Sequence, residues 1–177
     1  MRTGGIPPLP RDLLEDPTLE EIPGGPASTV LLAFEAAWSA WPKQGALPPR
    51  SAFDPVDFPR FLPWIGLQEF TAHPNRYRSY DMLYRYLGTA RSEMFKAAGL
   101  TGTYVSAMPD PFPERWFKVY DRLLARRGPV VIRGKPYLVG KAFMRFEMLL
   151  LPLCRIQDAE GNDVAFNLSC VQEEPVD

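Results

Sequence analysis

Proline decides where this chain can hold regular structure. Twenty of its 177 residues are proline, and each lacks a backbone donor and interrupts a helix or the inside of a sheet. Six of them, with four of the 13 glycines, fall within residues 1–26. That density predicts a flexible Pro/Gly-rich arm over 1–27, whose Leu13, Leu14, Leu19 and Ile22 either stay loose or dock on the domain or a partner. A second cluster, Leu47-Pro48-Pro49-Arg50 and Phe53-Asp54-Pro55, predicts an ordered connector over 42–63 with at most a helical turn after Asp54. One folded domain over 28–177 remains.

Between the prolines the periodicities are readable. Leu31, Phe34, Trp38 and Trp41 recur at steps of three and four after Ser28, a residue suited to capping, and Pro42 ends the predicted helix. Strands are expected at 64–70 and 80–87 around the turn His73-Pro74-Asn75. In the second, Tyr80, Met82, Tyr84 and Tyr86 face one way and Asp81, Leu83, Arg85 and Leu87 the other. A short helix follows Thr89, and a longer one over 113–127 carries Trp116, Tyr120, Leu123 and Leu124 on one face before Gly128-Pro129 closes it. A strand over 130–139 leads into a hairpin of 145–156 and 163–171. The hairpin register is read with Cys154 opposite Phe166 and Cys170 opposite Leu150. Phe146, Met148, Leu150, Cys154, Val164, Phe166, Leu168 and Cys170 then share the core face, and Glu147 lies with Asn167 and Ser169. The two thiols fall beyond disulfide reach. Pro152 demands an edge position or a bulge.

Composition excludes several function classes. Lys and Arg number 20 against 21 Asp and Glu, a net charge of -1, which leaves no general attraction to nucleic acid or an anionic membrane. No apolar run approaches the roughly 18 residues of a membrane span, and residues 1–10 lack the apolar core of a secretory signal, so the expected location is the cytoplasm. Two cysteines and one histidine are too few for a disulfide framework or a cysteine-rich zinc site. Haem would have to use His73, which sits in a turn beside Pro74. A flavin-adduct photosensor needs a cysteine in a helix, and Cys154 and Cys170 fall in strands. Haem, flavin and metal are all disfavoured, and the cofactor stays unassigned. Phosphate-binding loops and nucleophile elbows are lacking.

The expected fold is α+β: an antiparallel sheet of about five strands in the order strand, strand, short helix, long helix, strand, strand, strand, with an extra helix in front. Several strings together carry a likeness. They are the tryptophan-ended leading helix, Leu47-Pro48-Pro49-Arg50-Ser51-Ala52-Phe53-Asp54-Pro55, Leu83-Tyr84-Arg85-Tyr86-Leu87-Gly88-Thr89, Gly99-Leu100-Thr101-Gly102, the Gly128-Pro129 exit and Phe146-Glu147-Met148-Leu149-Leu150-Leu151-Pro152-Leu153. In that order they resemble the PAS superfamily, in the branch of small PAS-like proteins of the alphaproteobacterial type, over about residues 38–171. The resemblance implies a curved sheet packed by helices around a cavity, and a sensory or interaction module rather than an enzyme. A chain of this length leaves no room for an attached output domain, so a signal would leave through a contact surface.

The resemblance singles out Arg85 and Glu147, each a charge in an otherwise apolar or aromatic strand. Inward, they must pair with each other, with backbone or with a ligand; outward, they are ordinary solvated residues, and the hairpin register favours the outward reading of Glu147. Tyr84, Tyr86, Phe146, Met148 and Phe166 would suit a pocket for a small hydrophobic or amphipathic ligand, and equally a filled core. Leu31, Phe34, Trp38 and Trp41 either cap the sheet or pair with a second copy in a homodimer. The expected function is signal transduction by a single-domain sensory or regulatory protein that binds a small ligand or a signalling protein. The alternatives are an isomerase or hydratase using Asp81, Asp163 or Glu147 as general base, and a ligand-free interaction scaffold.

Overall fold

The structure, a computed structural model, describes residues 19–43, 45–95, 97–136, 144–155 and 163–175. An α+β arrangement is built on a six-stranded antiparallel sheet: β1 (Glu20–Glu21), β2 (Ile65–Thr71), β3 (Asp81–Leu87), β4 (Val130–Gly134), β5 (Met144–Leu153) and β6 (Phe166–Pro175), in the order β1-β4-β5-β6-β2-β3. Helix α1 (Thr29–Ala40) precedes β2, while α2 (Thr89–Met94) and α3 (Phe112–Arg126) lie between β3 and β4. Alternation along the strands sends successive side chains to opposite layers. Val131, Leu149, Leu151, Leu168 and Cys170 pack with Leu31, Phe34 and Trp38 of α1. Val130, Ile132, Phe146, Met148 and Leu150 pack with Met94 of α2 and Trp116, Phe117, Tyr120 and Leu123 of α3. No helix among the described residues is long and apolar enough to cross a membrane.

The α1 stripe caps the sheet within one chain. Ser28 caps the helix by accepting from the Leu31 N–H at 3.4 Å, and Trp41 packs edge-on to Phe58 and tilted on Phe53. Part of the expected arm is also docked. Leu19 is buried in the α3-side cluster, β1 pairs with β4, and the Ile22 N–H donates to the Val131 carbonyl at 2.8 Å. Leu13 and Leu14 lie outside the described residues.

Three sequence expectations change. In the hairpin Leu150 faces Ser169 and Leu149 faces Cys170, one residue away from the expected register. A one-residue offset exchanges the faces of a whole strand. Phe146, Met148 and Leu150 therefore lie on the α3 side, whereas Cys154, Leu168 and Cys170 lie on the α1 side with Phe166 packed against them. Glu147 is not outward with Asn167 and Ser169. It faces α1 opposite Gln172, fully buried, and those two point to the other layer. Third, Leu67 pairs with Tyr86 while Gln68 pairs with Tyr84, so Arg85 is the extra residue of a bulge in β3. The bulge exchanges the faces beyond it: Leu87 packs into the core and Tyr86 is exposed.

Pro152 meets the edge condition rather than the bulge. Pairing of β4 with β5 ends at Val130–Leu150, so Pro152 lies past the end of β4, where its carbonyl accepts the Trp38 indole N–H at 3.1 Å. The outer side of β3 is occupied by a loop: the Tyr84 N–H donates to the Thr103 carbonyl at 3.0 Å and the Gly102 N–H to the Tyr84 carbonyl at 2.7 Å.

Gly88 is the tightest junction. A Cβ there would lie 2.3 Å from the carbonyl oxygens of both Leu62 and Pro63, backbone that cannot step aside. Gly88→Ala is expected to lower the unfolding free energy by about 3 kcal/mol in a urea titration, and an unchanged midpoint would contradict this packing.

Candidate functional site

The layer between the sheet and α3 is apolar at its rim and polar at its centre. Gly66 and Gln68 of β2 pair with Ser169 and Asn167 of β6, and Tyr84 of β3 lies opposite Gln68. Gln68, Asn167 and Ser169 have no solvent exposure. Buried polar groups must find partners, and here they form a chain. Asn167 Nδ2 donates to Gln68 Oε1 at 2.9 Å, Gln68 Nε2 donates to the Tyr120 hydroxyl at 2.7 Å, and the Ser169 hydroxyl donates to the Gly66 carbonyl at 3.3 Å. Asn167 Oδ1 has no hydrogen-bond partner among the described residues.

Into this belt α2 projects Arg91, which is only 5% exposed. Its Nη1 donates to the Ser169 hydroxyl at 2.5 Å and to the Ser169 carbonyl at 3.4 Å, and its Nη2 reaches the Met148 sulfur at 3.7 Å. Glycine at position 66 makes the room: a Cβ there would stand 2.5 Å from Nη1 and 2.7 Å from Cζ. Burial lowers the Arg91 pKa, opposed by Tyr84, Tyr120 and Cys170, and a guanidinium nevertheless keeps its proton. Burial pushes the Tyr84 phenol up to about 12 against the pull of Arg91, and pushes Tyr120 well above its ordinary value. Both hydroxyls therefore remain protonated. The Cys170 thiol is raised by burial to about 12, which makes it a packing group rather than a nucleophile.

Arg91, Tyr84 and Tyr120 also line a cavity completed by Leu87, Phe95, Ala97, Phe112 and Trp116. Its interior, about 20 Å³ traced by the centre of a water molecule, accommodates a single water. The arrangement supplies a fixed cation, two phenolic hydroxyls and aromatic walls, with no carboxylate among the described lining residues.

The residues expected to form a site are dispersed. Tyr84, Phe146 and Met148 lie in the α3-side core, and only Tyr84 reaches the cavity. Arg85 is exposed and pairs with Glu69, its Nε 2.6 Å from Oε2, while Arg155 reaches Oε1 at 2.7 Å. Tyr86 donates to the Leu62 carbonyl at 3.0 Å. Phe166 packs on the α1 side under the Arg155 guanidinium. Glu147 Oε1 accepts from the backbone N–H groups of Ala27 and Ser28 at 2.9 and 3.0 Å, and Oε2 from Arg133 at 2.9 Å. The expected choice among partners thus resolves to backbone and Arg133, on the face away from the cavity. His73 is exposed and stacked on Tyr104. Of the three nominated acids, Asp81 is buried and accepts from the Met82 and Ser106 N–H groups, Asp163 is exposed, and Glu147 is held as described. They sit on three separate segments.

The residue that sequence reasoning missed is Arg91. Its signal was available: Leu87, Arg91, Met94 and Phe95 follow helical spacing, which sets a cation in an apolar stripe.

Because no carboxylate loses a partner, Arg91→Met is expected to leave the unfolding free energy unchanged or raise it by about 1–3 kcal/mol; a large loss in a denaturant titration would make Arg91 a structural residue. Glu69 behaves oppositely. Burial would raise its pKa, but Arg155 and Arg85 hold it below the ordinary 4.5, so its contribution is present above that pH and is lost as pH falls through the lower folded value. The stability difference between wild type and Glu69→Gln is therefore expected to be full at neutral pH and to shrink below about pH 4, measured by urea unfolding across a pH series. Compared with known proteins, the chain matches no family model, no curated sequence and no solved structure.

Proposed function

We propose that this chain is a PAS-like sensory or regulatory module of the cytoplasm that binds a small molecule between its sheet and the α2–α3 layer. The single observation that carries this reading is the buried polar belt around Arg91, facing a cavity in an otherwise apolar interior. A core built only for stability has no use for a buried cation that meets no carboxylate. The element order, two strands, a short and a long helix, then three strands, supports the PAS-like assignment.

A ligand larger than one water has to open the cavity, since pockets for drug-sized molecules measure about 300–1,000 Å³. Phe95 and Phe112 on its rim are only partly buried and are the groups with room to move. Binding acts on output only through a difference in affinity between two arrangements. A route exists in β5: Met148 touches Arg91, and the next residue, Glu147, holds the start of α1 on the opposite face. Rearrangement around Arg91 would then alter the α1 surface offered to a signalling partner.

Native mass spectrometry of the purified chain beside its denatured mass tests the reading, with a thermal-shift screen of small metabolites on the same sample. The expected result is an added mass lost on denaturation, or a compound that raises the unfolding midpoint by several degrees. A bare mass with a flat screen would leave an interaction scaffold in its place.

A further inference from the structure

The buried charges of this protein divide into two kinds. Glu147 faces Arg133, and Glu69 lies between Arg85 and Arg155. Asp81 accepts from the Met82 and Ser106 N–H groups instead of a cation, and Arg91 is the one buried cation among the described residues, where no Asp or Glu forms an ion pair with it. Its environment consists of dipoles: the Ser169 hydroxyl and carbonyl, the Met148 sulfur and the Tyr84 and Tyr120 phenols. Dipoles solvate a cation but leave its net charge uncompensated, and the remedy within a low-dielectric interior is an anion.

We infer that the Arg91 guanidinium is the anchor for the carboxylate of a small monocarboxylic acid, whose apolar or aromatic body lies against Trp116, Phe95 and Phe112. This rests on the small-molecule reading above and adds the class of ligand. The charge selects the class. One carboxylate neutralises one guanidinium, whereas a phosphate dianion would bring a second negative charge into a cavity where Arg91 is the one cation among the described lining residues. The planar guanidinium matches a carboxylate in a way that an ammonium does not. The phenols of Tyr84 and Tyr120 line the same cavity and supply further donors to an oxygen seated there. The aromatic walls select the body: Phe95, Phe112 and Trp116 offer ring faces and edges to an apolar group.

The test uses the full chain with two probes of nearly equal shape, benzoate and its neutral counterpart benzamide, by isothermal titration calorimetry. The expected result is that benzoate binds at least about tenfold more tightly than benzamide, that Arg91→Met removes this preference, and that Arg91→Lys keeps part of it. Equal affinities in the wild type, or a benzoate preference that survives in a folded Arg91→Met variant, would overturn the carboxylate assignment while leaving the small-molecule site in place. Binding of neither probe would also overturn it, and the native mass measurement then decides separately whether the cavity binds anything. The comparison of probes on the wild type stands even if Arg91→Met does not fold.

Discussion

A buried carboxylate ties the two layers of this protein together. Glu147 sits in the middle of β5 with no solvent exposure, and one of its oxygens takes two backbone N–H groups at the start of α1. Those donors belong to a helix entrance, where the backbone lacks partners of its own and the dipole favours negative charge. The other oxygen takes Arg133 from the neighbouring strand, and Arg133 also reaches Glu174 of β6 at 3.2 Å. Burial of Glu174 raises its pKa, with Arg133 opposing and Glu147 adding to the rise. Removing the Glu147 carboxylate would leave two helix-entrance donors without their acceptor and Arg133 with Glu174 as its remaining carboxylate.

The two faces of the sheet use different chemistry for the same task. Toward α1 the filling is apolar and rich in rings, with Phe58 in contact with Phe34, Phe53 and Phe61, and its fully buried carboxylate, Glu147, is held where the helix begins. Toward α3 the rim is equally aromatic, with Phe95 edge-on to Phe146 and Trp116 stacked on Tyr120, but the central strands contribute Gln68, Asn167 and Ser169 in place of aliphatic groups. Hydrogen bonds give this belt direction and a unique arrangement, at a cost in desolvation that an apolar core avoids.

Much of the architecture was legible because helices advertise themselves by spacing. The Leu31, Phe34, Trp38 stripe, the Trp116, Tyr120, Leu123 face and the order of the elements from α1 onward follow from periodicity and proline placement, whereas the sixth strand, β1, lies in the stretch expected to be a flexible arm. What failed did so at single residues. The hairpin register was displaced by one position, enough to send Glu147 to the wrong face, because the run from Met148 to Leu153 is apolar on both sides and gives no alternation to fix it. The bulge at Arg85 left no mark in the sequence, since an extra residue in a strand looks like any other. The site was missed for a related reason: Gln68, Asn167 and Ser169 alternate with apolar neighbours as solvent-facing residues do, and only the arrival of Arg91 from another element makes them an interior.

The sheet is closed at both sides by short pieces of the chain. β1, only two glutamates long, covers the outer strand β4, and Glu21 turns its side chain back to Arg122 and Arg126 of α3. At the other end, residues 102–104 take up the outward backbone groups of β3 at Tyr84. At these positions the backbone groups of β4 and β3 are already taken, so a strand added from another chain there would first have to displace β1 or the 102–104 loop.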